Sequence, residues 1–166
     1  MIKPSRKPEE PGKRNRQYYE EEGGEYLKAK IIYYTKTGHS RKIANRIGEE
    51  LKIEVLDVKE NPELEEVDLL FVVGGIYGGQ SDKGLLEYID GLPEGAVKKA
   101  ALMTSCTSMK SPQDQVRERL EVKGIDVLKD EFICRGNFLI FGWGHPNRED
   151  LQKAVDFAGN TLERVE

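Results

Sequence analysis

Six consecutive residues, Thr35-Lys36-Thr37-Gly38-His39-Ser40, combine three hydroxyl side chains, a lysine, a histidine and a single glycine. The hydroxyls of Thr35, Thr37 and Ser40 are neutral donors, and Gly38 permits a tight backbone turn. Apolar residues at helical spacing, Ile43, Ala44, Ile47 and Leu51, follow at once. Amide hydrogens at a helix start are unsatisfied and carry about half a unit of positive charge. That combination suits a phosphate. Alone, it would serve equally as an ordinary Ser/Thr helix cap. A second segment shifts the balance: Gly74-Gly75-Ile76-Tyr77-Gly78-Gly79 has four glycines in six residues. They bare the backbone for a ligand at a cost in chain entropy that no structural need in the sequence explains. Tyr77 among them offers a flat face for stacking.

The elements that position these segments alternate between strand and helix signals from Leu27 onward, the mark of a parallel sheet covered on both faces. Ala29 to Tyr34 reads as the first strand and Ile53 to Val58 as the second. The third, Val67 to Val73, contains the unbroken run Leu69-Leu70-Phe71-Val72-Val73 of a strand buried on both faces. A short helix centred on Leu85, Leu86 and Ile89 stops at Gly91 and Pro93, and Ala100 to Met103 is the fourth strand. Ser111-Pro112-Gln113-Asp114 supplies a cap, a proline at the first helical position and an acid three residues past the cap, opening a helix through Val116 and Leu120. The fifth strand lies between Ile125 and Cys134, bent around Lys129-Asp130. The last helix follows His145-Pro146-Asn147, with Asn147 as cap and Asp150 closing a capping box, and buries Leu151, Ala154, Val155, Ala158 and Leu162. One helix is missing: Lys59 to Glu66 must make a crossover, and a single turn from Glu63 to Glu66 is expected there.

Composition bounds the class. The 166 residues, 37% hydrophobic and 34% charged, suit one globular domain. No apolar run approaches the ~20 residues of a membrane span, and no secretory signal is visible, so a cytoplasmic protein is expected. Residues 1–16 hold six Lys/Arg against two Glu, a net +4 that leaves −8 for the rest of a chain whose total is −4. An acidic body argues against nucleic-acid binding and suits docking on a basic partner. Residues 1–26 are too polar to offset their ordering entropy and are read as a flexible extension, with the domain proper at 27–166. Cys106 and Cys134 lack CxxC spacing, so no zinc site is expected, and reduced thiols are favoured over a disulfide.

The pattern Thr-x-Thr-Gly-x-Ser directly after an aliphatic-aromatic first strand resembles the phosphate loop of the flavodoxin-like FMN-binding family. The resemblance implies a doubly wound α/β fold with a five-stranded parallel sheet in the order 2-1-3-4-5, and flavin mononucleotide as cofactor. Thr35, Lys36, Thr37, Gly38, His39 and Ser40 would then hold the phosphate. His39 stands where the family usually has asparagine, and either adds a cation there or points to solvent. By the same resemblance Gly75, Ile76, Tyr77, Gly78 and Gly79 meet the flavin. Tyr77 would stack on it, and the Gly78 peptide would flip so that its carbonyl accepts the N5–H after one electron is added. Thr104, Ser105, Cys106 and Thr107 would border the polar edge of the ring system, with Cys106 either a small polar contact or a redox-sensitive thiol. Many members carry a second aromatic in that third loop. This chain has none, so Phe141 or Trp143 covers the far face, or that face stays open to a substrate.

Neighbouring readings fail on their own residues. A response regulator needs acids after the first and third strands, where Thr35-Lys36-Thr37 and Gly74-Gly75 stand. A dinucleotide-binding fold needs G-x-G-x-x-G, and a nucleotide hydrolase needs Gly-Lys-Ser/Thr. Three functions stay open. One is an FMN oxidoreductase drawing electrons from a nicotinamide or quinol-type donor, akin to flavodoxin-like quinone reductases and protoporphyrinogen oxidases. The second is an electron shuttle serving a redox partner protein. The third is a flavin-free interaction module on the same fold. The oligomeric state, a homodimer included, is left open.

Overall fold

The computed structural model describes residues 27–106, 113–135 and 144–165. The 1–26 extension lies outside them, as do Thr107, Ser111, Pro112, Phe141 and Trp143. Ten elements follow one another: β1 (Ala29–Tyr33), α1 (His39–Leu51), β2 (Glu54–Asp57), β3 (Val67–Tyr77), β4 (Gln80–Ser81), α2 (Lys83–Asp90), β5 (Val97–Cys106), α3 (Asp114–Val122), β6 (Asp126–Arg135) and α4 (Arg148–Val165). Five strands run parallel in the order β2-β1-β3-β5-β6, with β4 folded back antiparallel on the end of β3. Without that two-residue hairpin strand, the order is the expected 2-1-3-4-5.

The hydrophobic run of β3 is central because both its faces are covered. Leu70 and Val72 join Ile32, Leu102, Leu85, Ile89, Val116 and Leu120 in one core beneath α2 and α3. Leu69, Phe71 and Val73 join Ile31, Met103, Ile43, Ile47, Ala154, Ala158 and Leu162 in the other, beneath α1 and α4. The two-residue alternation of strand side chains divides the same run between two cores. Each fully buried aliphatic or aromatic side chain contributes roughly 1.5–3 kcal/mol by leaving water. The carboxyl ends of β1, β3 and β5 are thereby held side by side, the place where open α/β sheets bind ligands.

Several boundaries differ from the sequence reading. The crossover between β2 and β3 carries its single turn at Val58–Glu60, not at Glu63 to Glu66. Asp57 ends β2 and its Oδ1 accepts the Lys59 N–H at 2.9 Å, so the turn forms at once. Left-handed backbone at Asn61 (φ 49°) and Glu66 (φ 51°) prevents helix beyond it, while Leu64 plugs the core. Helix α3 starts at Asp114, with Gln113 at the cap position. Gln113 makes no side-chain cap because its amide is turned inward, where Nε2 donates to the Met103 carbonyl at 2.9 Å. The bend at Lys129-Asp130 is present as a register shift: Ala100 pairs with Val127 and Leu102 with Glu131, leaving two extra residues on β6. Arg117 secures that bulge, donating to the carbonyls of Val127 and Leu128 and pairing with Glu131 at 2.7 Å.

Candidate functional site

The first site segment is a turn over Thr35 to Gly38, braced by its own hydrogen bonds, followed by the first two residues of α1, His39 and Ser40. Gly38, at φ 88°, turns the chain into α1. Thr35 Oγ1 accepts the Gly38 N–H at 2.8 Å, and its main-chain carbonyl accepts from Lys59 Nζ at 2.8 Å. Thr37 Oγ1 lies 3.1 Å from His39 Nδ1. Partial burial, followed by the charge of Lys42, lowers the His39 pKa. Ser40 differs from its neighbours. It is 1% exposed, on the first turn of α1, and among the described residues its hydroxyl has no hydrogen-bond partner. A buried hydroxyl left unpaired costs about 1–3 kcal/mol.

The second segment is not a loop. Gly74 to Tyr77 continue β3, and the chain turns only at Gly78 and Gly79 before returning as β4. Both turn residues have positive φ, 60° and 81°, as a two-residue hairpin demands. The glycines therefore do have structural reasons, contrary to the sequence reading. A Cβ on Gly74 would sit 2.7 Å from Gln113 Oε1, and one on Gly75 would sit 2.8 Å from Tyr77 Oη. Tyr77 lies across Gly75 and reaches the first loop, where its Oη accepts the Lys36 N–H at 3.3 Å. No atom stands within 4 Å of where side chains on Gly78 and Gly79 would begin, so the hairpin tip borders open space.

The third segment also begins as strand. Thr104, Ser105 and Cys106 end β5, where Thr104 pairs with Gly74 and Ser105 with Gly75. Thr104 is fully buried, and among the described residues its Oγ1 has no partner. Cys106 and Cys134 are both buried and in no disulfide. Burial, with the charge of Asp150, pushes the Cys134 thiol up to about 12, so it is inert at neutral pH.

Beside the first loop, the turn before α4 is built as its sequence implied. Asn147 Oδ1 accepts from the Asp150 amide and Asp150 Oδ2 from the Asn147 amide, each at 2.9 Å. His145 Nδ1 lies 2.5 Å from Asp150 Oδ2, and Lys42 Nζ donates to the Pro146 carbonyl at 3.0 Å, tying this turn to α1. Burial alone would raise the Asp150 pKa, but the Asn147 amide and His145 outweigh it and hold the carboxyl below its usual range.

Sequence reasoning missed Asp82 and Gln113. Asp82 is 5% exposed, caps α2 through Oδ1 to the Gly84 amide at 2.9 Å, and meets Lys36 Nζ at 2.6 Å through Oδ2. The cap was legible from an aspartate just before an apolar helix, but its partner lies 46 positions away. Gln113 gave no signal, because a glutamine before a helix is ordinarily solvated.

A family model that matches most of the chain decides the relationship. The chain belongs to the flavodoxin domain family. Its family model matches residues 30–153. An uncharacterised protein of Methanocaldococcus jannaschii is 32% identical over 152 residues, covering 82% of this chain and 99% of that protein. Among solved structures, a flavodoxin from the domain Archaea matches with a TM-score of 0.63 at 16% identity, over 82% of this chain and 97% of its own. Oxidised Flavodoxin 2 from Bacillus cereus matches with the same TM-score at 17% identity, over 82% and 99%. At such identities the structural matches establish the fold. Among the described residues of this flavodoxin-family chain, no helix is long and apolar enough to cross a membrane, and no cluster of His, Cys, Asp or Glu is arranged to hold a metal.

Proposed function

We propose that this flavodoxin-family protein binds FMN between the Thr35–Ser40 loop and the β3–β4 hairpin. We further propose that it passes electrons from a nicotinamide or quinol-type donor to an acceptor. The observation that carries this reading is the Ser40 hydroxyl, buried and unpartnered where the α1 amides begin. A phosphate there would give Ser40 its partner and receive the helix dipole, with Thr37 donating from the loop. Bound FMN would supply one- and two-electron redox chemistry. The chain's own residues would do the rest. Tyr77, lying across Gly75, would offer a stacking face, and the hairpin tip at Gly78 and Gly79 borders open space where the ring system would lie. The ends of β5 at Thr104, Ser105 and Cys106 lie beside the same strand end as Gly74 and Gly75, within reach of a polar ring edge.

A second reading, an electron shuttle with no substrate of its own, is favoured by the near-complete overlap with whole flavodoxin chains. Both readings are tested on freshly purified protein by a visible spectrum and by thermal stability with added FMN. Flavin absorbance and an upward shift in Tm are expected, because a ligand that binds only the folded state stabilises it. Colourless protein that FMN does not stabilise would establish the flavin-free module instead. With FMN bound, catalytic bleaching by NADH or NADPH selects the enzyme, and its absence with fast exchange to a partner protein selects the shuttle.

A further inference from the structure

Asp82 carries more charge than its place in the fold requires. As a helix cap it needs only an oxygen, and asparagine caps as well as aspartate. Yet it is a carboxylate 5% exposed, and an unbalanced buried charge costs several kcal/mol. Its balance comes from Lys36, on the phosphate loop, whose Nζ lies 2.6 Å from Asp82 Oδ2 and 5.1 Å from the centre of the Tyr77 ring. Lys36 is thus held between the loop proposed for the phosphate and the aromatic proposed for the flavin. Tyr34 also faces Asp82, its ionisation opposed by burial and then by that carboxylate. Lys59 lies over the Tyr34 ring at 5.2 Å and is committed to the Thr35 carbonyl. The hydrogen bond and charge of Asp82 raise the Lys36 pKa, so the ammonium stays protonated at neutral pH.

We propose that Asp82 is a positioning residue for the cofactor: it fixes the Lys36 ammonium beside Tyr77 and, by balancing that charge, sets how strongly the site prefers reduced over oxidised flavin. This rests on the FMN reading above. Reduction adds negative charge to the ring, so an unbalanced cation nearby favours the reduced form and an unbalanced anion disfavours it. A unit charge roughly 10 Å away, at an effective dielectric constant of about 20–40, changes that preference by roughly four- to fifteenfold. For a one-electron couple, at 59 mV per tenfold, this is about 35–70 mV.

The test is the midpoint potential of the FMN-loaded full chain, read by spectroelectrochemistry. Asp82→Asn keeps the cap and frees the Lys36 charge, and its potential should rise. Lys36→Met strands the Asp82 charge, and its potential should fall. The double variant should return close to wild type, as should Lys36→Arg, which keeps the cation. A bridge that merely braces the loop would move both single variants in the same direction, and that result, or no shift in either, overturns the proposal. If Asp82→Asn does not fold, the fall in Lys36→Met and its absence in Lys36→Arg carry the test on an exposed position. Wild-type protein that takes up no FMN would end the cofactor assignment and this proposal with it, whereas bound FMN with unmoved potentials ends this proposal alone.

Discussion

Replacing Ser40 by alanine should make the ligand-free protein more stable and FMN binding weaker, a pair of opposite signs that few residues would give. The serine is 1% exposed, and its hydroxyl has no partner. Without ligand, the fold therefore bears the desolvation of a buried hydroxyl, about 1–3 kcal/mol, with nothing in return. Alanine removes that cost and leaves only a void the size of one oxygen. A net gain of about 1 kcal/mol is expected, or about 2–4 °C in Tm for a chain of this size. With FMN present the sign reverses. A hydrogen bond to a charged group contributes about 1.5–3 kcal/mol, so losing it should weaken FMN about 10- to 150-fold. Riboflavin lacks the phosphate and should bind both proteins alike. The assays are urea unfolding of the ligand-free proteins and fluorescence titration with each flavin. Equal losses for FMN and riboflavin, or an apo protein destabilised by the change, would refute the reasoning, because either result means that the hydroxyl is not waiting for a phosphate.

Three further outcomes follow from local geometry. Gly48→Ala would drive a Cβ into a Val55 methyl and to 2.8 Å from the Ile53 carbonyl, forcing α1 away from β2; a loss of about 1–3 kcal/mol is expected in chemical unfolding. Gly78→Ala meets no neighbour but must hold φ near 60°, so stability should fall by about 1–2 kcal/mol while the one-electron potential of the FMN complex shifts; an unmoved potential would show that this peptide does not respond to reduction. Asp150→Asn should lower Tm at neutral pH, with the gap closing in acid. The folded carboxyl titrates below its ordinary value of 3.8, so its contribution is complete above that value and disappears as pH falls through the lower, folded one. A gap that persists at pH 2 would show that the charge of Asp150 contributes nothing.

Much of this molecule was legible because its signals are local. The run Leu69 to Val73 could only be a strand covered on both faces, and Thr35 to Ser40 could only be a turn opening a helix. Asn147 with Asp150 wrote out its capping box in four residues. Strand ends were less legible. Gly74 to Tyr77 read as loop because glycine weakens a strand by propensity, whereas pairing with β5 and closure by β4 hold them extended. Likewise Thr104 to Cys106 looked like a polar loop, and become strand because β3 and β6 flank Thr104 and Ser105 and β6 pairs with Cys106.

The sequence by itself determined the alternation of elements, the two apolar faces of the sheet and the hydroxyl-bearing turn that opens α1, since each depends on neighbours within about one helical turn. Tertiary structure alone decided which groups of that loop are satisfied and which are left waiting. Tyr77 reaches Lys36 across 41 positions and Asp82 balances it across 46, while the Ser40 hydroxyl meets no partner among the described residues. Hydrogen bonds and ion pairs act over about 3 Å, and only the closed sheet brings residues so distant in sequence within that range.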